Sequence, residues 1–260
     1  MPGVYLRKPM SFAKARLLGP FSKRQRARLS LTGLHPDLPM VADHCVLSPT
    51  PQYLYVKNAK AACSTVTQAI HVWQTGWAPE TRIHGSTAIP QGWRAYDRVS
   101  RELEDPAVMR FIFVREPLSR LVSGFLYYLV DRKARLLYRH EPFLKAWGWD
   151  PEAPLERSFD LFLDYVEAGV ETDVRRVDIH FRPQFYNLRP DLIRYDFTGR
   201  VESLTADLKT LEERFDIAPE RRTPEAAPRR NPARSAFAPS PAQAARAREM
   251  FRIDYETFGY

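Results

Sequence analysis

Hydrophobic residues predict the same arrangement twice along the chain: a short strand, then a polar turn, then a helix. The first strand is the run YLYV at 53–56, and apolar residues recur at helical spacing from Val66 to Trp73. The second strand is FIFV at 111–114, followed by an apolar stripe between residues 118 and 125. Strands that alternate with helices in this way are typical of a parallel β-sheet flanked by helices. We therefore expect an α/β fold.

The later part of the chain adds helices and one more strand to this pattern. Residues 196–201 predict a short strand. The helix after it has four apolar residues at helical spacing, Leu204, Leu208, Leu211 and Phe215. Residues 218–241 are rich in Pro, Ala and Arg and predict an extended loop. Because 260 residues with 44% hydrophobic content can bury one substantial core, we predict one α/β domain.

The turn after the first predicted strand has the composition of an anion site. Lys57 and Lys60 offer positive charge, and Ser64 and Thr65 offer hydroxyl donors. Three small residues let the backbone approach a ligand closely: Ala59, Ala61 and Ala62. The start of a helix also favours negative charge, because its first N–H groups have no partner within the helix. The alternative is a helix capped by Ser64 beside two solvated lysines.

The turn after the second predicted strand carries Arg115 at the strand's carboxyl end, where open α/β sheets bind ligands. Pro117 suits the first turn of a helix, since its missing N–H costs nothing there. Arg115 and Ser123 are eight residues apart, so they converge only if Arg115 reaches from the strand end to the helix. The alternative is that Arg115 pairs with Glu116 or Asp131 and Ser123 only packs. Two such turns on neighbouring strands suit a ligand with two separated phosphates.

Together these segments resemble the carbohydrate (type 2) sulfotransferases, which use 3′-phosphoadenosine-5′-phosphosulfate (PAPS). KNAKAACST at 57–65 is similar to that family's 5′-phosphosulfate loop, and FIFVREPLSRLVSGF at 111–125 to its 3′-phosphate motif. HFRPQ at 180–184, YDFTGRVESL at 195–204 and the ending DYETFGY at 254–260 follow in the family's order. The resemblance covers residues 44–260, and these are the bounds that it implies for the domain. The membrane anchor and the paired cysteines of the Golgi members are missing. This points to a soluble, bacterial-type relative.

The resemblance implies a P-loop-like sulfotransferase fold with PAPS as co-substrate, and it gives roles to residues of the motifs. Lys60 would stabilise charge on the bridging oxygen of the donor, and Arg115 and Ser123 would hold its 3′-phosphate. The other implied contacts to PAPS are Lys57, Ala61, Ala62, Cys63, Ser64, Thr65 and Arg182. The acceptor would be a hydroxyl of a carbohydrate, glycan or glycolipid.

Sulfuryl transfer also needs a base for the proton of the acceptor hydroxyl, and histidine titrates in the useful range. We predict His84 first, because it lies in a polar turn between the two phosphate motifs, where the family has its acceptor-side residues. His180, in HFRPQ, is the second candidate. For each, the alternative is a structural or surface histidine. No His, Cys or Asp residues have metal-ligand spacing, so no metal is expected.

Positive charge is concentrated at the start of the sequence. The net charge is +8, and residues 1–30 contain eight Lys or Arg residues and no acidic residue. We predict a basic arm over residues 1–40 that either contacts an anionic membrane, another chain or a polyanionic acceptor, or is solvated and disordered. No apolar run has the length of a membrane span, no signal-peptide core is present, and Cys45 and Cys63 form no disulfide framework. A cytoplasmic location is expected, and contact with a membrane surface through the arm stays one of these alternatives.

Two other classes of function fit part of the sequence. A nucleotide-dependent phosphotransferase could use the same anion sites, but it normally needs a glycine-rich loop and carboxylates for Mg²⁺. A basic nucleic-acid-binding protein would account for the charge, but it would leave both strand-end motifs unexplained, so no nucleic acid is expected as a partner. A PAPS-dependent O-sulfotransferase accounts for both motifs and is the prediction.

Overall fold

The computed structural model describes residues 2–8, 13–79, 83, 87–132, 134, 136–223 and 237–260. The helices in these ranges are α1 (Ala13–Leu18), α2 (Lys23–Leu34), α3 (Leu38–Asp43), α4 (Cys63–Thr75), α5 (Tyr96–Glu104), α6 (Pro117–Phe125), α7 (Leu137–Ala146), α8 (Leu155–Asp173), α9 (Gln184–Leu188), α10 (Leu204–Arg214), α11 (Pro241–Met250) and α12 (Arg252–Phe258). The strands are β1 (Cys45–Leu47), β2 (Tyr53–Val56), β3 (Met109–Val114) and β4 (Phe197–Arg200).

The four strands form a sheet in the order β1-β2-β3-β4. Strands β2, β3 and β4 are parallel, whereas β1 is antiparallel to β2. Because Val56 of β2 pairs with Ile112 of β3, these two strands end at the same edge of the sheet. All of β2 and the last four residues of β3 are buried, as expected for strands covered on both faces. The predicted α/β fold, with a mostly parallel sheet flanked by helices, is confirmed.

The chain forms two compact units, and the sheet lies in the one that comprises Met10–Val114 and Leu188–Arg230, here called the sheet unit. Its core joins apolar positions of α4 and α10 to the aromatic side chains of the strands. In β4, glycine is required at 199, because a Cβ there would lie 2.4 Å from the ring of Phe113. The apolar stripe predicted between residues 204 and 215 is therefore the core face of α10.

The second unit comprises Met1–Pro9, Arg115–Asn187 and Asn231–Tyr260 and is here called the helical unit. Its core is rich in aromatic residues from α6 and α8. Phe125 of α6 contacts the rings of Phe159 and Phe162 of α8, with centroids 5.1 and 5.6 Å apart. These contacts hold α6, the helix that directly follows β3 along the chain.

The segment predicted as a basic arm contributes to both units. Residues 2–8 belong to the helical unit, where the N–H of Arg7 donates to the C=O of Arg176 (2.8 Å). Helices α1 and α2 belong to the sheet unit. Within the described ranges, no helix is both long and apolar enough to cross a bilayer. The single domain over residues 44–260 stays a prediction, and most of the predicted loop, residues 224–236, lies outside the described residues.

Candidate functional site

The turn between β2 and α4, residues 57–62, is fixed to the sheet at its first positions. The buried side-chain amide of Asn58 donates to the C=O of Phe113 on β3 (3.1 Å). The ammonium group of Lys57 donates to Oε1 of Gln91 (3.0 Å). Burial lowers the pKa of Lys57 from its ordinary value. Lys57 is therefore a half-buried cation at the start of the turn.

The backbone is left-handed at two non-glycine positions of this turn, Lys60 (φ 66°) and Ala62 (φ 53°). This conformation costs an L-residue roughly 1–2 kcal/mol. Left-handed residues in a turn can direct neighbouring N–H groups into one concavity, called a nest, which binds anions. Ala59 and Ala61, the small residues beside these positions, are buried. Strained backbone of this kind is common where a ligand is held.

Helix α4 begins at Cys63, and Ala62 occupies its N-cap position without a capping side chain. The alternative in which Ser64 caps the helix is therefore wrong, because Ser64 is already its second residue. Cys63, Ser64 and Thr65 form the first turn, and burial raises the pKa of the Cys63 thiol despite the charge of nearby lysines. The amino end of a helix of 13 residues, without a cap from the side chain before it, suits an anionic ligand.

The turn between β3 and α6 is organised by Glu116 and Pro117. Glu116 is the N-cap residue, and its carboxylate accepts from the N–H groups of Leu118 (3.1 Å) and Ser119 (2.6 Å). Pro117 is the first helical residue, as predicted. Nε of Arg115 donates to Oγ of Ser119 (3.0 Å). The Arg115 side chain thus extends along α6.

Ser123 lies one helical turn beyond Ser119, so the two hydroxyl side chains share a face of α6. Since Arg115 contacts Ser119, the arginine reaches the same face. The contact of Arg115 is thus with Ser119, and Ser123 lies one helical turn further along the same face. Arg115, Ser119 and Ser123 are all half-buried and present donors suited to a phosphate.

The backbone of Arg115 is held by Gln184, a residue distant in sequence, and Gln184 is held in turn by Asp254. The side-chain amide of Gln184 accepts from the N–H of Arg115 (3.0 Å) and donates to its C=O (2.8 Å). The carboxylate of Asp254 accepts from the N–H groups of Gln184 (2.7 Å) and Phe185 (2.8 Å). Tyr255 donates its hydroxyl to the Glu116 carboxylate (2.5 Å). The carboxyl-terminal helix therefore supports the turn that presents Arg115.

The segment around His180 packs directly on α6. The fully buried guanidinium of Arg120 donates to the C=O groups of Arg182 (2.7 Å) and Ile179 (2.7 Å). Gly124 permits close approach, because a Cβ there would lie 3.1 Å from the carbonyl oxygen of His180. Helix α6 thus carries the Arg115 side chain and also fixes the backbone of the HFRPQ segment.

His180 is paired with a buried carboxylate. Its Nδ1 lies 2.6 Å from Oδ1 of Asp178, whose other oxygen lies 3.4 Å from Nε2 of His140. Asp178 is itself buried, which opposes ionisation, but hydrogen bonds from His140 and His180 hold its pKa well below the ordinary value. The ring of Tyr127 stacks on His180, with centroids 6.0 Å apart. The side chain of His180 is 26% exposed, whereas that of His140 is 1% exposed.

This pairing suits proton transfer at His180. An ionised carboxylate at Nδ1 favours the tautomer that carries the proton there, so that Nε2 is the basic nitrogen. Asp178 therefore orients the ring and stabilises the charge that follows proton uptake. Tyr128 adds a contact from its hydroxyl to Nδ1 (3.2 Å).

Arg182 is almost fully buried, with its guanidinium bonded to Oδ1 of Asn187 (2.6 Å) and to the C=O of Arg175 (2.6 Å). Burial lowers its pKa to about 9. Its predicted contact to PAPS stays a prediction beside this structural role. His84 lies outside the described residues, so its predicted role as the base also stays a prediction.

The structure groups the other predicted residues in two sets. Arg115, Ser123, His180 and Arg182 lie in the helical unit, and residues 57–65 lie in the sheet unit. In the described part of the chain, no group of three or more His, Cys, Asp or Glu residues is placed to hold a metal ion.

Sequence reasoning missed Ser119 and Asp178. Asp178 had a weak signal, since it lies two residues before a candidate histidine. The capping role of Glu116 could have been found, because a capping side chain followed by Pro at the first helical position is a common helix start.

Most of this chain is similar in sequence to known proteins. A protein-family sequence model with the description "Sulfotransferase family" matches residues 43–260. Carbohydrate sulfotransferase 14 of Homo sapiens is 30% identical over 192 residues, which are 70% of this chain and 49% of that protein. Carbohydrate sulfotransferase 12 of Mus musculus is 26% identical over 150 residues, or 51% of this chain and 36% of that protein.

The chain spans about half the length, or less, of these curated relatives. No solved structure matches it significantly. Because the family model covers most of the sequence, from residue 43 to the last residue, the chain belongs to the sulfotransferase family.

Proposed function

We propose that this protein transfers a sulfuryl group from PAPS to a hydroxyl of an acceptor, and that the acceptor is a carbohydrate or glycan. The observation that carries the proposal is the turn after β2. It combines two left-handed non-glycine residues, Lys60 and Ala62, with the start of α4 and two lysines. This arrangement has the chemistry of an anion site, and it coincides with the segment that resembles the 5′-phosphosulfate loop.

The residues proposed to hold PAPS divide between its two anionic ends. The 5′-phosphosulfate is bound by Lys57, by Lys60, by the backbone at residues 61–62 and by the first turn of α4, residues 63–65. Arg115 and Ser123 bind the 3′-phosphate, and Ser119 joins them because it contacts Arg115 and shares the face of Ser123. PAPS supplies an activated sulfuryl group with a bisphosphate leaving group.

His180 is proposed as the base, with Asp178 as the residue that positions it. His180 takes the proton as the acceptor oxygen forms its bond to sulfur, while the bond from sulfur to the bridging oxygen breaks. Lys60 stabilises the negative charge that the departing oxygen gains. His84, which the sequence favoured, is the other candidate for the base.

The acceptor class rests on the relatives, two of which are named carbohydrate sulfotransferases. Glycans and glycolipids both present hydroxyl groups of this kind. A cytoplasmic location is part of the same proposal, and the described cysteines, Cys45 and Cys63, are both outside any disulfide. Mass spectrometry of products formed from extracts supplied with labelled PAPS would identify the acceptor.

Ligand-dependent thermal unfolding tests the donor site without knowledge of the acceptor. Adenosine 3′,5′-bisphosphate should raise the Tm through mass action, because it binds the folded state. Adenosine 5′-phosphosulfate lacks the 3′-phosphate, so it should stabilise the protein much less at the same concentration. Adenosine is the control and should have little effect. Equal stabilisation by the first two compounds would contradict the role of Arg115 and Ser123.

A further inference from the structure

The end of α1 and the connection to α2 expose apolar side chains within five consecutive residues. Leu17 is 74% exposed, Leu18 36% and Phe21 88%. These three residues, here called the apolar tip, are three of the eight large hydrophobic side chains exposed in the described part of the chain. Scattered single apolar residues are ordinary on a surface, but a local group indicates an interaction site.

The apolar tip is held in place rather than loosely extended. The guanidinium of Arg26 donates to the C=O groups of Gly19 (3.1 Å) and Pro20 (2.8 Å), which lie between Leu18 and Phe21. Gly19 is buried, and Ser22 caps α2 by accepting from the N–H of Gln25 (3.4 Å). The turn therefore presents these side chains on an ordered backbone.

The surroundings of the tip are strongly basic. The first 36 residues of the sequence contain no acidic residue. Arg16, Lys23 and Arg24 are exposed around the tip in sequence. Arg24 also lies over the ring of Trp93 (5.8 Å), and the exposed Arg94 lies over the same ring (4.3 Å). Cations beside exposed apolar side chains and a half-buried tryptophan are typical of segments that lie at a membrane interface.

We propose that the apolar tip and its basic surroundings dock this protein on an anionic phospholipid surface. Leu17 and Phe21 would enter the interfacial region of the bilayer, while Arg16, Lys23 and Arg24 contact lipid phosphates. A second copy of the chain fits less well, because symmetric pairing of this face would bring like charges together. Nucleic acid would use the cations but would leave the exposed leucine and phenylalanine in water.

Co-sedimentation with lipid vesicles tests this proposal independently of any enzymatic activity. The protein should bind vesicles that mix phosphatidylglycerol with phosphatidylcholine, should bind phosphatidylcholine alone much more weakly, and should be released by high salt. The double variant Leu17→Ser/Phe21→Ser should lower the affinity by roughly tenfold or more. Reversal of two charges, Arg16→Glu with Lys23→Glu, should lower it at least as much.

Leu34→Ser is the matched control, because Leu34 is 60% exposed at the other end of α2. It should leave vesicle binding unchanged, and thermal unfolding should show that every variant is folded. No binding to anionic vesicles, or an equal loss in Leu34→Ser, would overturn the proposal. So would self-association or nucleic-acid binding that depends on Leu17 and Phe21 in the absence of lipid.

Discussion

Two cationic side chains of the candidate site differ in how they are held. Lys60 lies at a left-handed position of a strained turn, so its place depends on the backbone. Arg115 has an ordinary place at a strand end, and its side chain is directed by Ser119. The proposed roles differ in the same way: Lys60 acts on charge that develops during transfer, and Arg115 acts on a phosphate that does not react.

Substitution of these two residues should separate chemistry from binding. Arg115→Ala removes charge-assisted hydrogen bonds worth roughly 1.5–3 kcal/mol each, so the Kd for the bisphosphate should rise at least tenfold. Lys60→Ala should mainly lower kcat, because its interaction strengthens in the transition state. Alanine already occupies a left-handed position at Ala62, so the backbone should tolerate it.

The measurement is kcat and KM for PAPS, together with calorimetric affinity for the bisphosphate. Lys209→Ala, an exposed lysine on α10, is the control for loss of one charge. Near-normal turnover of Lys60→Ala at saturating PAPS would contradict its role.

The base is tested by comparing His180→Gln with His84→Gln. If His180 accepts the proton, its substitution should lower turnover by roughly a hundredfold or more and remove the acidic limb of the pH–rate profile. Bisphosphate affinity should be unchanged. Asp178→Asn should lower kcat in the same direction, because Nδ1 loses the carboxylate that selects the tautomer.

The variant His140→Gln distinguishes loss of the orientation of the His180 ring from a general loss of stability. His140 contacts the same carboxylate but is buried, so its loss should lower stability with a smaller effect on kcat. If His84→Gln shows the losses expected for His180→Gln, the base is His84 instead.

At the scale of residues, the sequence predicts the local structure around the candidate site where the signal is local. Strand ends, lysines and Pro117 are neighbours in the chain, so their relation is visible in the sequence. Arg115 and Ser119 are only four residues apart in sequence, but their contact depends on the direction of the arginine side chain and was not predicted. Asp178 was missed because no local pattern marks it. One of its partners, His180, is two residues away, but the other, His140, is 38 residues away.

At the scale of elements, α12 supports the turn that presents Arg115, although the two are far apart in sequence. Asp254 at its start binds the backbone of α9, and Gln184 of α9 binds the backbone of Arg115, 69 residues away. Tyr255 contacts the residue that caps α6. These residues come from three of the segments that resemble the family's motifs. Hydrogen bonds join them into one network, here called the support, which holds the turn between β3 and α6.

Breaking this support should weaken the 3′-phosphate site from a distance. Gln184→Ala leaves the N–H and C=O of Arg115 without that side-chain amide, which should cost about 1–3 kcal/mol of stability and loosen the turn. The Kd for the bisphosphate should rise severalfold, whereas affinity for adenosine 5′-phosphosulfate should change less. Both quantities can be measured by calorimetry.

Gln243→Ala is the matched control for this variant. Gln243 is also buried in the helical unit, and its amide donates to Asp160 (2.7 Å) and to the C=O of Glu156 (3.0 Å). It should lose similar stability without a change in ligand preference. If both variants weaken the bisphosphate equally, the support acts on folding alone.

The spacing of apolar residues is sufficient to predict most strands and helices. It is not sufficient to predict the hydrogen bonds that connect elements distant in sequence. The strands β2, β3 and β4 and the core face of α10 follow from apolar patterns, which are local and were predicted. Helices α1 and α2 were not predicted, since their many cations resemble a solvated segment and their apolar stripe is weak. The link from α12 to the β3–α6 turn depends on residues about 70 or more positions apart, which no local pattern shows.

At the scale of the whole molecule, folding places several ionisable groups away from water. Asp254 is the clearest case, since it is fully buried and burial raises its pKa to about 6. Hydrogen bonds from two backbone N–H groups and the charge of Arg120 oppose this rise but do not cancel it. A carboxyl group with a raised pKa in the folded state makes stability fall as the pH rises.

The sign of this effect follows from proton linkage. Below its ordinary pKa of 3.8, Asp254 is protonated in both states, and its contribution to stability is fully present. Between that value and about 6 the folded state keeps a proton that the unfolded state has lost. Stability from this group should therefore decrease by on the order of 3 kcal/mol as the pH rises through this window.

Asp254→Asn isolates this contribution, because asparagine does not titrate. Urea unfolding at a series of pH values should show that the stability of the original protein minus that of the variant falls between about pH 4 and pH 7. Asp97→Asn, at an exposed position of α5, is the control for the loss of one carboxylate. A difference that rises with pH would mean that the N–H groups of Gln184 and Phe185 stabilise the ionised carboxylate more than burial destabilises it. The support for Arg115 would then be strongest at neutral pH, with Asp254 acting as a charged cap of α9 rather than as a buried acid.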